Sequence, residues 1–109
     1  MFRLAICVIG LSVGAVAMSA AADKPSGEKV FADQKCALCH SIAAKGNVKG
    51  PLDNVGGKLT SDDIRAWIID AKGMTAKTAA ARKPAMKAYT LPKDDVDALV
   101  VYLSALKTP

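Results

Sequence analysis

Two cysteines and a histidine stand close together in the run Cys36-Ala37-Leu38-Cys39-His40. If this run forms a helical turn, positions i, i+3 and i+4 share one face, so both thiols and the imidazole point in the same direction. The two sulfur atoms could then form thioethers with the vinyl groups of a haem while the imidazole binds its iron. The spacing therefore predicts one covalent haem c attached through Cys36 and Cys39, with His40 as an iron ligand.

Three other uses of the cysteine pair agree less well with the rest of the chain. A thioredoxin-like redox motif needs a βαβ setting, and the sequence shows no strand pattern. A zinc site needs a second pair of ligands, but Cys7 is the only other cysteine and His40 is the only histidine. A disulfide between Cys36 and Cys39 would close a loop too small to stabilise the fold much.

The N-terminal residues have the layout of a secretory signal peptide. Met1-Phe2-Arg3 is a short positive start, an uncharged apolar stretch follows to Ala17, and small residues lead to Ala22. We therefore expect a signal peptide at 1–22, cleavage after about Ala22, and a single domain at 23–109 in the periplasm. A retained membrane anchor is the alternative, but the apolar run is shorter than the roughly 20 residues of a spanning helix.

The remaining sequence alternates between helical patterns and loops. We predict an all-α fold of three to five short helices, with long loops wrapped around one covalently bound haem. The expected elements are a helix from the Ser26 N-cap to about Lys35, a glycine-rich loop from Ile42 to Leu59, a helix from Thr60 to a stop at Gly73, and a helix from Pro92 to about Leu106. The conformation of 74–82 is left open.

A haem iron held by His40 needs a second axial ligand, and a single histidine excludes a histidine pair within one chain. Removal of the signal peptide leaves two methionines, Met74 and Met86. Met86 is favoured because it lies in an irregular segment after Pro84 and just before the last helix, although methionine often fills gaps in a core. Met74 and a site without a methionine ligand stay open as weaker alternatives.

In their order and spacing, these motifs resemble those of small bacterial class I cytochromes c. The resemblance covers 26–107 and includes Gly50-Pro51-Leu52, the run from Lys83 to Tyr89 around Met86, and the last helix from Leu91 to Leu103. It implies the cytochrome c fold and a Pro51 carbonyl that accepts a hydrogen bond from the second nitrogen of His40. It also implies that Trp67 and Tyr89 line the haem pocket, with ordinary aromatic packing as an equal alternative.

A closed His–Met site leaves no position on the iron for a substrate. We therefore expect a one-electron carrier rather than an enzyme, serving redox partners such as a dehydrogenase, a bc1-type complex or a terminal oxidase. The alternatives are a cytochrome subunit of a periplasmic dehydrogenase and, less favoured, a gas-binding or peroxidatic haem protein. The formal net charge of +5 is modest and the chain is expected to be exported, which argues against nucleic acid. A basic rim could steer an acidic partner, or its members could simply be solvated: Lys45, Lys49, Lys83 and Lys87.

Overall fold

The computed structural model describes residues 25–109, together with Gly10 and Gly14. The predicted signal peptide and its cleavage after Ala22 are not tested by the stretch 25–109. Within that stretch the helices are α1 Gly27–Asp33, α2 Val55–Lys58, α3 Ser61–Ile69, α4 Ala71–Thr78 and α5 Lys93–Ser104. A 3₁₀ turn at Cys36–Leu38 and a hairpin of β1 Ser41–Ile42 and β2 Lys45–Gly46 complete the elements. The predicted all-α architecture is confirmed.

Two helices begin where the sequence predicts them, because a hydroxyl side chain caps each one. The backbone N–H of Lys29 donates to Ser26 Oγ at 3.1 Å, at the start of α1. The backbone N–H of Asp63 donates to Thr60 Oγ1 at 3.1 Å, at the start of α3. Each bond satisfies one of the N–H groups that a helix leaves without an internal partner in its first turn.

The predicted helix end at Gly73 is wrong. α3 ends earlier, at Ile69, and the side chain of Asp70 accepts a hydrogen bond from the backbone N–H of Gly73 at 3.2 Å. An aspartate in this relation to an N–H three residues later is an N-cap, so it starts a new helix. Gly73 therefore lies in the first turn of α4. The last residue of this helix is Thr78, and Ala79, which caps it, adopts the left-handed conformation.

The predicted long loop from Ile42 to Leu59 contains short regular elements. The hairpin of β1 and β2 turns through Ala43 and Ala44, whose φ angles of 50° and 64° are both positive. Asp53 supports this turn, because its Oδ1 accepts a hydrogen bond from the backbone N–H of Ala43 at 2.7 Å. A two-residue hairpin turn is usually recognised in a sequence by an Asn-Gly pair. This turn has Ala-Ala instead, so the sequence does not indicate a hairpin.

The hydrophobic core lies where α1 and α5 cross, with α3 packed on α5. The rings of Phe31 and Tyr102 meet edge to face, with centroids 6.2 Å apart and planes at 66°. Arg65 of α3 forms an ion pair with Asp97 of α5 at 2.8 Å. The buried members of the core are Val30, Phe31, Ile64, Ile68, Val96, Leu99, Val100 and Leu103.

Among the described residues, no helix has both the length and the hydropathy that crossing a bilayer requires.

Candidate haem-binding site

The cysteine–histidine run forms the helical turn that its spacing predicts. Lys35 adopts a left-handed conformation (φ 56°, ψ 36°) and turns the chain out of α1 into the motif. The carbonyl of Cys36 then accepts hydrogen bonds from the backbone N–H groups of Cys39 at 3.2 Å and His40 at 2.9 Å. Both thiols are free; Cys36 packs partly against the core and Cys39 is exposed. Two unpaired thiols and an imidazole are thus held within one turn.

The half-buried imidazole of His40 is oriented by a backbone carbonyl. Its Nδ1 lies 3.1 Å from the carbonyl oxygen of Gly50. Because a carbonyl can only accept, Nδ1 carries the proton and Nε2 keeps the lone pair that a metal requires. Burial lowers the pKa of His40 and the charge of Arg82 lowers it further, while the Gly50 carbonyl opposes both. The lowered pKa favours the neutral imidazole, which is the form that binds iron.

The resemblance implied that the Pro51 carbonyl accepts the hydrogen bond from His40. In the structure the acceptor is the Gly50 carbonyl instead. Ser41 forms a parallel bridge with Pro51, in which its N–H donates to the Gly50 carbonyl at 3.1 Å. In the same bridge the N–H of Leu52 donates to the Ser41 carbonyl at 2.8 Å. Successive carbonyls of an extended segment point to opposite sides, so the Gly50 carbonyl faces the motif and that of Pro51 faces away.

The irregular residues 80–92, here called the methionine segment, run alongside the motif. Its Tyr89 is anchored to α3, because the Tyr89 N–H donates to the Ile68 carbonyl at 2.8 Å. At its other end the Arg82 guanidinium lies directly over Gly50, where a Cβ atom would collide with it. Burial raises the pKa of the Tyr89 hydroxyl, and the thiols of Cys36 and Cys39 lie close enough to raise it further. Both ends of the segment are thus held close to the attachment turn.

A lysine also links the methionine segment to the first cysteine. The ammonium of Lys87 lies 5.1 Å from the centroid of the Tyr89 ring. Burial raises the pKa of the Cys36 thiol, and the nearby charge of Lys87 partly opposes that rise. Met86 is the residue before this lysine in the chain.

The two candidate methionines differ in burial. Met74 is 7% exposed on α4, although it is not a member of the core cluster formed by α1, α3 and α5. Met86 is half-buried in the methionine segment, which lies against the motif. The other predicted pocket residues, Trp67 on α3 and Tyr89, are also half-buried, and Tyr89 packs against the core. This arrangement favours Met86 over Met74 as a side chain available to a bound group.

Two apolar side chains are exposed in and near the motif, within a stretch of sequence that carries no acidic residue. Leu38 and Val48 are 71% and 65% exposed, and Asn47 connects them because its Nδ2 donates to the Leu38 carbonyl at 3.2 Å. No carboxylate occurs in 34–52 or 71–92, the two stretches that contain the motif and the methionine segment. The four lysines predicted to form a basic rim are all exposed: Lys45, Lys49, Lys83 and Lys87.

The chemistry of these groups fits haem c. The free thiols of Cys36 and Cys39 can form thioethers, and Nε2 of His40 is available to iron because Nδ1 is already hydrogen-bonded. Sequence reasoning missed two members of the site, Gly50 and Arg82. Glycine beside a proline was a visible signal, but the direction of its carbonyl was not, and nothing in the sequence places Arg82 over it.

Comparison with known proteins agrees with this chemistry. A family model described as Cytochrome c matches residues 25–107, which is nearly the whole of the described chain. No curated protein and no solved structure matches the chain significantly. The matched range includes the attachment turn, Gly50 and the methionine segment.

Proposed function

We propose that this chain, which belongs to the cytochrome c family, is a small bacterial class I cytochrome that carries single electrons through a haem iron bound by His40 and Met86. Membership of the family establishes the covalent haem c and the role of a haem-based electron carrier. Haem c, when bound, supplies an iron that alternates between the ferric and ferrous states. The two axial ligands, the cellular location and the partners are the substance of the proposal.

Cys36 and Cys39 would fix the haem by thioether bonds. The sulfur of each thiol would form a carbon–sulfur bond with a vinyl group and its hydrogen would pass to the neighbouring vinyl carbon, so the addition would need no oxidant. The helical turn, in which the Cys36 carbonyl accepts from the N–H groups of Cys39 and His40, holds the backbones of all three residues within one turn. Covalent attachment would also compensate for the small core of so short a chain.

The hydrogen bond from His40 Nδ1 to the Gly50 carbonyl is the observation that carries the proposal. It fixes the tautomer and the ring orientation, leaves Nε2 for iron, and raises the basicity of the imidazole. A thioether from Met86 as the second ligand would favour the ferrous state relative to a second histidine. If His40 and Met86 both bound the iron, they would keep other ligands from it, which suits electron transfer.

The surface around the motif suits brief contact with an acidic redox partner. An exposed apolar centre at Leu38 and Val48 can exclude water at the contact, and the basic rim would accelerate encounter more than it increases affinity. We propose that this partner belongs to a respiratory or dehydrogenase complex in the periplasm, reached after removal of 1–22. The rate of electron transfer to such a partner should fall as ionic strength rises.

Optical and redox titration of the purified holoprotein tests the function. We expect a reversible one-electron couple, haem that stays with the polypeptide under denaturing extraction, and slow binding of carbon monoxide to the ferrous form. Rapid binding of carbon monoxide would show an open or labile axial position and would contradict the proposed ligand pair.

Replacing lysines separately tests the docking surface. Exchanging Lys49 for glutamate should slow reduction by an acidic partner at low ionic strength, whereas the same exchange at Lys107, near the C-terminus, should have a smaller effect. Equal effects of the two exchanges would contradict docking at the basic rim.

A further inference from the structure

Arg82 occupies a position that the electron-carrier role alone does not explain. Its guanidinium lies over Gly50, close enough that a Cβ atom added there would collide with Nη1 and the guanidinium carbon. The Gly50 carbonyl is the group that accepts the His40 Nδ1–H hydrogen bond at 3.1 Å. A full positive charge therefore lies against the residue whose carbonyl accepts this proton, and it is close enough to His40 to lower the pKa of the imidazole.

Arg82 forms no ion pair with a carboxylate among the described residues. The ion pairs there join Lys29 to Asp33, and Arg65 and Lys93 to Asp97; none includes Arg82. Its own stretch, 71–92, and the stretch it contacts, 34–52, contain no aspartate or glutamate. Arg82 is exposed, so it contributes little to the hydrophobic core.

We propose that Arg82 is a positioning residue that raises the reduction potential of the haem by acting through the Gly50 carbonyl on His40. The inference rests on the proposed role of His40 as an iron ligand. Two effects of the guanidinium have the same sign. Its charge disfavours the extra positive charge of the ferric state, and it draws electron density from the carbonyl. A carbonyl depleted in this way accepts the Nδ1 proton less strongly, which makes the imidazole a weaker donor to iron.

The effect can be measured with Arg82→Gln, which removes the charge, and Arg82→Lys, which keeps it. Lys72→Gln is the matched control, because it removes one exposed cation from α4. In Arg82→Gln, the ratio of oxidised to reduced protein at a fixed ambient potential should rise about three- to tenfold at low ionic strength. A tenfold change corresponds to a potential lower by about 59 mV for a one-electron couple. Arg82→Lys and Lys72→Gln should each stay within about twofold of the unaltered protein.

A second readout separates an electrostatic role from a packing role. In the ferrous protein, the proton resonance of His40 Nδ1–H should move downfield in Arg82→Gln, because the Gly50 carbonyl becomes a stronger acceptor. It should remain near its original position in Arg82→Lys. Equal ratios for Arg82→Gln and Lys72→Gln would overturn the proposal, and so would equal changes in the two Arg82 variants.

These results are distinct from a failure of the proposed axial ligands. The optical spectrum of the unaltered protein shows whether histidine and methionine bind the iron, whatever residue stands at 82. If that spectrum shows the pair and the potential ignores Arg82, the inference about Arg82 fails and the proposed function stands.

Discussion

Replacing Gly27 with alanine tests whether α1 and α5 touch through their backbones. Gly27 is the first residue of α1 and is buried at the crossing of the two helices. A Cβ atom there would collide with the Ala98 carbonyl oxygen and with Cβ of Tyr102. Neither atom can move by a side-chain rotation, so the helices must separate or tilt to admit the methyl group.

The expected cost follows from the nature of the collision. Overpacking a tight contact destabilises a protein by about 1–3 kcal/mol, and the better helix propensity of alanine returns less than about 1 kcal/mol at a helix terminus. We therefore expect Gly27→Ala to lower the free energy of unfolding by about 1–2 kcal/mol. In a domain of this size, each kcal/mol lowers Tm by about 4–8 °C. Separation of the helices would also loosen the contact between Phe31 and Tyr102.

Urea and thermal unfolding of the holoprotein, followed by far-ultraviolet circular dichroism and Soret absorption, measures this change. Glu28→Ala is the control because it alters the next residue, which is exposed on the same helix, and it should change stability by less than about 0.5 kcal/mol. If Gly27→Ala had the urea midpoint of the unaltered protein, or a higher one, the close approach of the two backbones would be refuted.

Three further changes test separate parts of the fold. Ala44→Gly should stabilise the protein by about 0.5–1 kcal/mol, because alanine is strained at φ 64°. The control is Ala32→Gly, at an exposed helical position, which should destabilise the protein. Loss of stability in both variants would contradict the turn. Ser26→Ala should cost about 1 kcal/mol in urea unfolding through loss of the α1 cap, and no change would contradict that cap. Lys93 and then Arg65 lower the pKa of Asp97, so its contribution to stability is present above the ordinary value of 3.8 and is lost as pH falls through the lowered pKa. The difference in unfolding free energy between the unaltered protein and Asp97→Asn should therefore shrink in acid, and a difference that grows would contradict the ion pairs.

Local side-chain chemistry made much of the fold predictable. Ser26 and Thr60 are N-caps with a single local partner, so the sequence alone locates the starts of α1 and α3. The spacing of Cys36, Cys39 and His40 likewise needs only one helical turn. Gly73 misled the prediction because glycine often follows a helix, while the competing signal was Asp70, which caps the next helix.

The parts that escaped prediction depend on contacts between distant segments. The choice of Gly50 over Pro51 as the partner of His40 follows from the bridge between Ser41 and Pro51, which fixes the direction of each carbonyl. The position of Arg82 depends on how the methionine segment is laid against the motif. Neither is encoded in a spacing along the chain, so neither can be found by periodicity or by motif.

The most direct test of the proposed site is the optical spectrum of the ferric protein with each methionine replaced in turn. The unaltered protein should show the weak near-red charge-transfer band of ferric iron bound to a thioether sulfur. Met86→Ala should lose this band and gain rapid carbon monoxide binding in the ferrous form, whereas Met74→Ala should keep the band and lose only stability. A band that survives in Met86→Ala and disappears in Met74→Ala would contradict the His40–Met86 pair.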